Sequence, residues 1–181
     1  MLGIRSKVVI VVRDEEKDRK IEGKGNTLVK NFLAIYEQIF TRKLSGSRAL
    51  FVDIGGSVRA LNDQYYVLTD RYAPCIALGS GTTPVSFNDY NLENIVVGWS
   101  QVQGYEVNYD DTYFKGTFKA YKPFTFTEET TINEAGLAWW ICDASGNSHL
   151  TMVDRIVLDT PITVPANRTI DVYYILEIGK A

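Results

Sequence analysis

The stretch Thr131-Ile-Asn-Glu-Ala-Gly-Leu-Ala-Trp-Trp140 places a glycine and two adjacent tryptophans in a segment that otherwise has the composition of a β-strand. A glycine inside a strand is typical of a bulge or of a close approach to the backbone. Because successive side chains of a strand point to opposite faces, one tryptophan is expected to face a core and the other to face outward. We predict packing and assembly roles for the pair, with no chemistry assigned to it.

Short apolar runs of this kind recur along the chain, separated by turn residues such as glycine, aspartate and asparagine. Candidate strands cover 7–13, 48–54, 57–61, 75–78, 95–101, 105–109, 113–121, 132–141, 150–158 and 170–178. Their spacing of roughly ten residues leaves no room for crossover helices, so antiparallel pairing is expected. The sequence therefore predicts a mainly β fold, an antiparallel β-sandwich of jelly-roll or immunoglobulin-like layout.

The hydrophobic period changes once, after a polar connection that runs to Gly25. From residue 28 to residue 40, apolar side chains recur at steps of three and four, which predicts one amphipathic helix over 27–43. Asn26 or Thr27 is its expected N-cap. We predict a single domain over 1–181, with a strand and helix over about 1–44 followed by the β-sandwich over about 45–181.

Composition limits the function classes. The chain has 181 residues, 45% of them hydrophobic and 23% charged, which is typical of a globular domain with a real core. The net charge is −3 and basic residues are not clustered, so a nucleic-acid partner is not expected. The apolar run Val8–Val12 is too short for a membrane span or a signal peptide.

Few residues carry chemistry. His149 is the only histidine, so any Ser-His-Asp or Cys-His arrangement would have to use it. It lies in a Gly-Asn-Ser-His turn, and we interpret it as a solvated loop residue. Cys75 and Cys142 lack zinc-site spacing and are interpreted as buried free thiols, with a disulfide left open. We predict no cofactor, no metal and no enzymatic activity.

Two stretches together resemble a known group of proteins. Cys75-Ile-Ala-Leu-Gly-Ser-Gly-Thr-Thr-Pro84, followed by Asp89 and Leu92-Glu93, resembles the "aGtGttpps.sDtaLe" segment of small structural proteins of tailed bacteriophages and archaeal viruses. The segment from Thr125-Phe126 through Gly136-Leu137 resembles the start of their C-terminal pattern, which continues here with Leu150, Arg155 and the closing strand over 170–178. The opening strand and "GNTLVKNFL" fit the same proteins.

The resemblance implies a virion component of the tail, neck, fibre or capsid-decoration kind. Such a protein would be made in the host cytoplasm and incorporated into the particle. Its expected partners are other copies of itself and other virion proteins. The alternative is a receptor- or carbohydrate-binding module of a virus, which would meet a host surface receptor or glycan, because exposed tryptophan and tyrosine rings stack on sugars.

Residues 103–122 have no counterpart in the family pattern and form an aromatic-rich hairpin by prediction. Tyr113 and Phe114 are adjacent and must point to opposite faces, so aromatic area stays outside unless a partner covers it. The residues predicted at a subunit contact are Tyr105, Tyr109, Tyr113 and Phe114 of this hairpin, with the outward ring of Trp139 and Trp140.

Overall fold

The computed structural model describes residues 2–12, 19–25, 29–34, 49–61, 73–110 and 115–180. The strands are β1 (Leu2–Val12), β2 (Arg19–Gly25), β3 (Leu50–Val52), β4 (Val58–Ala60), β5 (Cys75–Gly79), β6 (Ile95–Gln101), β7 (Gly104–Asp110), β8 (Lys115–Phe126), β9 (Thr130–Cys142), β10 (Ser148–Val164) and β11 (Arg168–Lys180). Every pairing between these strands is antiparallel. The predicted mainly β, antiparallel architecture is confirmed.

The strands form a five-stranded sheet in the order β2-β1-β11-β8-β7, a four-stranded sheet in the order β10-β9-β5-β6, and the small hairpin β3-β4. β1 pairs with β11 along its whole length, from Leu2↔Lys180 to Val12↔Ile170. The first predicted strand therefore belongs to the same sheet as the last one. The predicted hairpin over 105–121 is present as β7 and β8.

Side chains from both large sheets form one hydrophobic cluster. It includes Val8 and Ile10 from β1, Ile76 from β5, Leu137 from β9 and Ile156 from β10, each of them fully buried. Burying one such side chain contributes about 1.5–3 kcal/mol. Alternate residues of a strand point to the same face, and the apolar residues at these positions point into this cluster.

β2 corrects the sequence analysis, which predicted a polar connection up to Gly25. Lys20 and Glu22 alternate with Ile21 and Gly23, and only Ile21 supplies a large apolar side chain. A Cβ at Gly23 would lie 2.6 Å from Leu158 Cδ2 on β10, so the strand packs there through its backbone. A glycine in a core-facing position hides the alternation that identifies a strand.

Residues 30–34 are helical, and of the predicted helix over 27–43 only 29–34 lie among the described residues. The Asn31 side chain fixes this segment: its amide donates to Val52 O at 2.8 Å and to Met152 O at 3.0 Å, and its oxygen accepts from Val52 N at 2.8 Å. Val29 is buried beside Ala77 in a second hydrophobic cluster. The longer helix stays a prediction.

At Gly136 a neighbouring side chain packs closely on the strand backbone, as a glycine inside a strand predicts. A Cβ at Gly136 would lie 2.6 Å from Trp99 Cη2 and 3.0 Å from Leu92 Cδ2, so the indole ring of Trp99 packs on the strand backbone. The indole nitrogen of Trp99 donates to Asn91 Oδ1 at 3.1 Å, which fixes the ring in this position. The glycine therefore makes room for an aromatic ring.

We expect Gly136→Ala to destabilise the fold by about 1–3 kcal/mol, because the added methyl group displaces the Trp99 ring. The matched control is Gly98→Ala, where a Cβ meets nothing within 4 Å. In that variant the lower backbone entropy of the unfolded chain should give a small gain in stability. Urea unfolding followed by tryptophan fluorescence measures both. Equal unfolding free energies for the two variants would contradict this account.

Candidate functional site

The carboxylate of Glu134 on β9 is fully buried, with 0% exposure. Its Oε2 accepts a hydrogen bond from Arg155 Nε at 2.7 Å, and its Oε1 accepts from the backbone amides of Gly81 at 3.1 Å and Asn94 at 3.0 Å. A buried ion pair is tolerated when hydrogen bonds satisfy its remaining atoms. Glu134 meets that condition by binding the loop between β5 and β6.

Arg155 on β10 extends these contacts into the same loop. Its Nη1 donates to Asp89 Oδ2 at 2.8 Å and its Nη2 donates to Thr83 O at 3.2 Å. Glu93 Oε2 lies 3.7 Å from Nη2. Burial lowers the pKa of Arg155, but the hydrogen bonds to Asp89 and Glu134 outweigh that effect and raise the pKa, so the guanidinium stays charged. We call Glu134, Arg155, Asp89, Thr83 and Glu93 the Arg155 network.

Two glycines leave space for this network. A Cβ at Gly81 would lie 2.6 Å from Glu134 Oε1, and a Cβ at Gly79 would also collide with the Glu134 side chain. Both glycines belong to the first stretch that carries the virion resemblance, and Arg155 belongs to the second. The two stretches therefore meet in one hydrogen-bonded unit. The sequence analysis quoted these residues and Glu134 but assigned no role to Glu134, whose signal was a lone carboxylate within an apolar strand.

An open cleft of about 480 Å³ lies above Arg155, lined in part by Ile54, Tyr90 and Leu92. Each of the three guanidinium nitrogens of Arg155 already donates to an acceptor of this chain. The charged groups at the base of the cleft are therefore engaged with one another. We interpret the Arg155 network as a structural connection between sheet and loop.

His149 corrects the sequence analysis, which interpreted it as a solvated loop residue. Its side chain is only 19% exposed, with Nε2 at 2.9 Å from Asp143 Oδ2 and Nδ1 at 3.7 Å from Asp53 Oδ2. The β3-β4 hairpin covers it, which a sequence pattern could not reveal. Because both ring nitrogens face carboxylates, His149 joins two turns and is not directed at a substrate.

The two turns that His149 joins are built alike. Asp53-Ile-Gly-Gly-Ser57 and Asp143-Ala-Ser-Gly-Asn147 each begin with an aspartate and have a glycine of positive φ at the fourth position, 82° at Gly56 and 84° at Gly146. Asp53 Oδ1 accepts amide hydrogen bonds at 3.0 and 2.9 Å, and Asp143 Oδ1 accepts two at 2.9 Å. Left-handed conformations favour glycine, and aspartate caps its own turn.

Burial raises the pKa of Asp143, but the hydrogen bonds from His149 and from backbone amides outweigh it and hold the pKa at about 2. A folded-state pKa below the unfolded value of 3.8 gives stability that is present above pH 3.8 and is lost as pH falls towards 2. The same direction holds for the pKa of Asp53, where burial is outweighed by hydrogen bonds from Ser57 and Arg59.

We therefore expect Asp143→Asn to flatten the acid limb of the stability curve. The wild type should lose stability more steeply than the variant between pH 3.8 and a pH of about 2, because only the wild-type carboxylate takes up a proton there. Asp159→Asn, at an exposed position of β10, is the control. Thermal unfolding across this pH range measures the slopes, and parallel curves for wild type and Asp143→Asn would refute the assignment.

A second carboxyl group lies inside the core. Tyr174 Oη donates to Asp154 Oδ2 at 2.8 Å, and Asp154 and Tyr174 are both fully buried. Within the described residues, Asp154 Oδ1 has no hydrogen-bond partner. Burial raises the pKa of Asp154 to about 7, and the Tyr174 hydroxyl only partly offsets this effect.

We expect the Asp154→Asn variant to gain stability relative to the wild type as pH rises. A folded-state pKa raised from 3.8 to about 7 gives stability that is present below pH 3.8 and is lost as pH rises through 7. Asparagine keeps an acceptor for Tyr174 and does not titrate. The difference in unfolding free energy between variant and wild type should change by about 2–4 kcal/mol across this range. A pH-independent difference in urea titrations would exclude ionisation of Asp154.

The residues predicted at a subunit contact are placed as follows. Tyr105 and Tyr109 lie on β7 and are 61% and 81% exposed. Tyr113 and Phe114 lie outside the described residues. Trp139 packs against the main core cluster, and Trp140 packs with Cys75 and its neighbours in a separate cluster. The subunit contact itself stays a prediction.

β7 is the outer strand of the five-stranded sheet, and all seven of its residues are exposed. Register places Tyr105, Val107 and Tyr109 on the same face as Phe118 of β8. The rings of Tyr105 and Phe118 stack with centroids 6.0 Å apart, and Phe118 meets Trp139 at 5.3 Å. An aromatic row therefore runs from the core to this exposed strand.

Comparison of the chain with protein-family models, curated proteins and solved structures gives no match. Within the described ranges, no group of three or more His, Cys, Asp or Glu side chains is arranged to hold a metal ion. No helix in this part of the chain is long and apolar enough to cross a membrane. Both cysteines are free and buried.

Proposed function

We propose that the protein is a non-enzymatic virion structural protein that self-associates through β7. The observation that carries the proposal is the fully exposed outer strand with its aromatic face. An outer strand presents unpaired backbone groups, and proteins that stay monomeric protect such strands with charges, bulges or covering loops. β7 instead presents Tyr105, Val107 and Tyr109, which are all among the exposed large hydrophobic residues.

A second copy of the chain fits this strand. Antiparallel pairing of two β7 strands about Val107 would set Tyr105 opposite Tyr109 of the partner subunit and Glu106 opposite Asn108 of the partner subunit. Aromatic pairs across neighbouring strands are stabilising, and no two like charges face each other in this register. Glu106 is already neutralised by Lys119 Nζ at 3.2 Å. The pairing would join two five-stranded sheets into one.

The virion setting is supported by the sequence resemblance, whose two stretches carry structural residues here. The Arg155 network and the enclosed His149 join elements of the fold, which suits a protein whose task is to hold its shape. In this proposal the sheets adopt a jelly-roll or immunoglobulin-like sandwich. The protein is made in the host cytoplasm and enters the particle, with other copies and other virion proteins as partners.

Charged side chains in β7 should prevent association. We expect Val107→Lys with Tyr109→Lys to shift native mass spectra towards monomer, because the lysine at position 107 would face its own counterpart and the lysine at position 109 would replace an aromatic ring opposite the partner's Tyr105. Val58→Lys is the control, since Val58 is also an exposed apolar residue and lies on the β3-β4 hairpin, away from β7. Circular dichroism establishes that each variant is folded.

An unchanged oligomer in the folded double variant would exclude β7 as the contact. The virion assignment has a separate test, which is mass spectrometry of purified particles. Absence of the protein from those particles would exclude a virion role even if β7 does pair.

A further inference from the structure

β10 contains a bulge that brings a carboxyl group into the core. Met152 pairs with Ala138 and Asp154 pairs with Leu137, so Val153 is an extra residue in the ladder between β10 and β9. A bulge of this kind breaks the alternation of side chains between the two faces of a strand. Val153 packs in the main hydrophobic cluster, and the adjacent Asp154 is also fully buried.

The same bulge provides acceptors for a segment at the edge of β10 that faces away from β9. In a regular strand, the carbonyl groups of successive residues point to opposite edges. Here two successive carbonyls point to the same edge, since Met152 O accepts from Asn31 Nδ2 at 3.0 Å and Val153 O accepts from Val29 N at 3.3 Å. Residues 29–34, which we call the strap, are therefore attached to β10 at the bulge.

The strap covers apolar side chains on the face of the four-stranded sheet that lies away from the main core. Val29 is fully buried and packs with Ala77, Leu92 and Met152 in a cluster of their own. Loosening of the strap would expose these side chains to solvent. The strap is thus a local cover whose position depends on the bulge.

The carboxyl group of Asp154 lies among uncharged groups. Burial raises its pKa, and the hydroxyls of Tyr174 on β11 and Ser6 on β1 lower it only in part, so the pKa is about 7. The charged side chains of Glu134 and Arg155 bind each other on the opposite face of the sheet. Among the described residues, no cation therefore neutralises an ionised Asp154, and a buried charge without a partner is unfavourable.

We propose that Asp154 and the β10 bulge form a pH-sensitive switch, which holds the strap while Asp154 is protonated and loosens it when Asp154 loses its proton. An ionised carboxylate gains hydration if its side chain leaves the core. That movement requires the bulge to rearrange, because the backbone of Asp154 adjoins the Val153 carbonyl that binds the strap. Loss of the proton is thereby converted into exposure of the apolar surface under the strap. The switch lies on the four-stranded sheet and does not depend on pairing through β7.

The test measures the protection factors of the Val29 and Phe32 amides in the full chain by hydrogen exchange at pH 5 and pH 7.5. Val29 N binds Val153 O, and Phe32 N binds Val29 O at 3.0 Å, so both amides report on the strap. We expect their protection to fall by about tenfold or more over this range, because opening lets the pKa of Asp154 return towards its unfolded value of 3.8.

Low concentrations of urea distinguish local opening from global unfolding. Local opening exposes little surface and should not respond to urea, whereas global unfolding should. Ile10, at the centre of the five-stranded sheet, is the reference for global unfolding. We expect the strap amides to be less protected than the Ile10 amide and to exchange independently of urea.

Three variants make the test specific. Asp154→Asn keeps an acceptor for Tyr174 and cannot ionise, so its strap should be equally protected at both pH values. Asp159→Asn, at an exposed position of β10, is the matched control and should behave as the wild type does. Asn31→Ala removes the side-chain bonds of the strap, and because linkage is reciprocal, the Asp154 carboxyl carbon should titrate at lower pH in this variant.

The switch is refuted if the strap of the wild type is equally protected at both pH values. It is also refuted if folded Asp154→Asn loses protection as the wild type does, because another group would then be titrating. Strap exchange that follows urea as the Ile10 amide does would mean that only global unfolding opens the strap, which overturns the proposal. An unchanged titration of Asp154 in folded Asn31→Ala would exclude coupling between the carboxyl group and the strap.

Discussion

The buried ion pair between Glu134 and Arg155 is the constraint on which much of the structure depends. A carboxylate with no exposure is unfavourable unless its oxygens are satisfied, and here an arginine and loop amides satisfy them. The pair sits where β9 and β10 adjoin the loop that leaves β5. This ion pair explains why positions 79 and 81 are glycines, because larger residues there would collide with the Glu134 side chain. The position of the loop, and with it the cleft above Arg155, is a consequence of that one buried charge.

Three further carboxyl groups, those of Asp53, Asp143 and Asp154, lie in environments that shift their pKa values in opposite directions. Hydrogen bonds outweigh burial and hold the pKa of both Asp53 and Asp143 low, from Ser57 and Arg59 at Asp53 and from His149 and turn amides at Asp143, so both stabilise the fold away from acid pH. Asp154 is surrounded by core side chains and has its pKa raised to about 7, so it opposes folding as pH rises. Together these three groups contribute most to stability between the two titrations, on the acid side of neutrality. The histidine that looked like the best catalytic candidate is one of the stabilising groups.

The two faces of the five-stranded sheet offer different surfaces at the same outer strand. Tyr105 and Tyr109 extend the aromatic row that begins in the core, and Gly104, Glu106 and Asn108 lie on the opposite face. Alternation along β7 produces this separation, because neighbouring residues of a strand point to opposite faces.

By itself, the sequence determined the antiparallel β architecture, most strand positions and the β7-β8 hairpin, because alternation and turn residues act locally. It also indicated that Gly136 marks a close approach. It did not reveal β2, where Gly23 replaces an apolar side chain, nor the enclosure of His149 by the β3-β4 hairpin. The ion pair of Glu134 with Arg155, and the hydrogen bonds of both with the loop between β5 and β6, join residues far apart in the chain. Only the tertiary structure decided these features, since strand order and register are set by packing over the whole core and not by any local pattern.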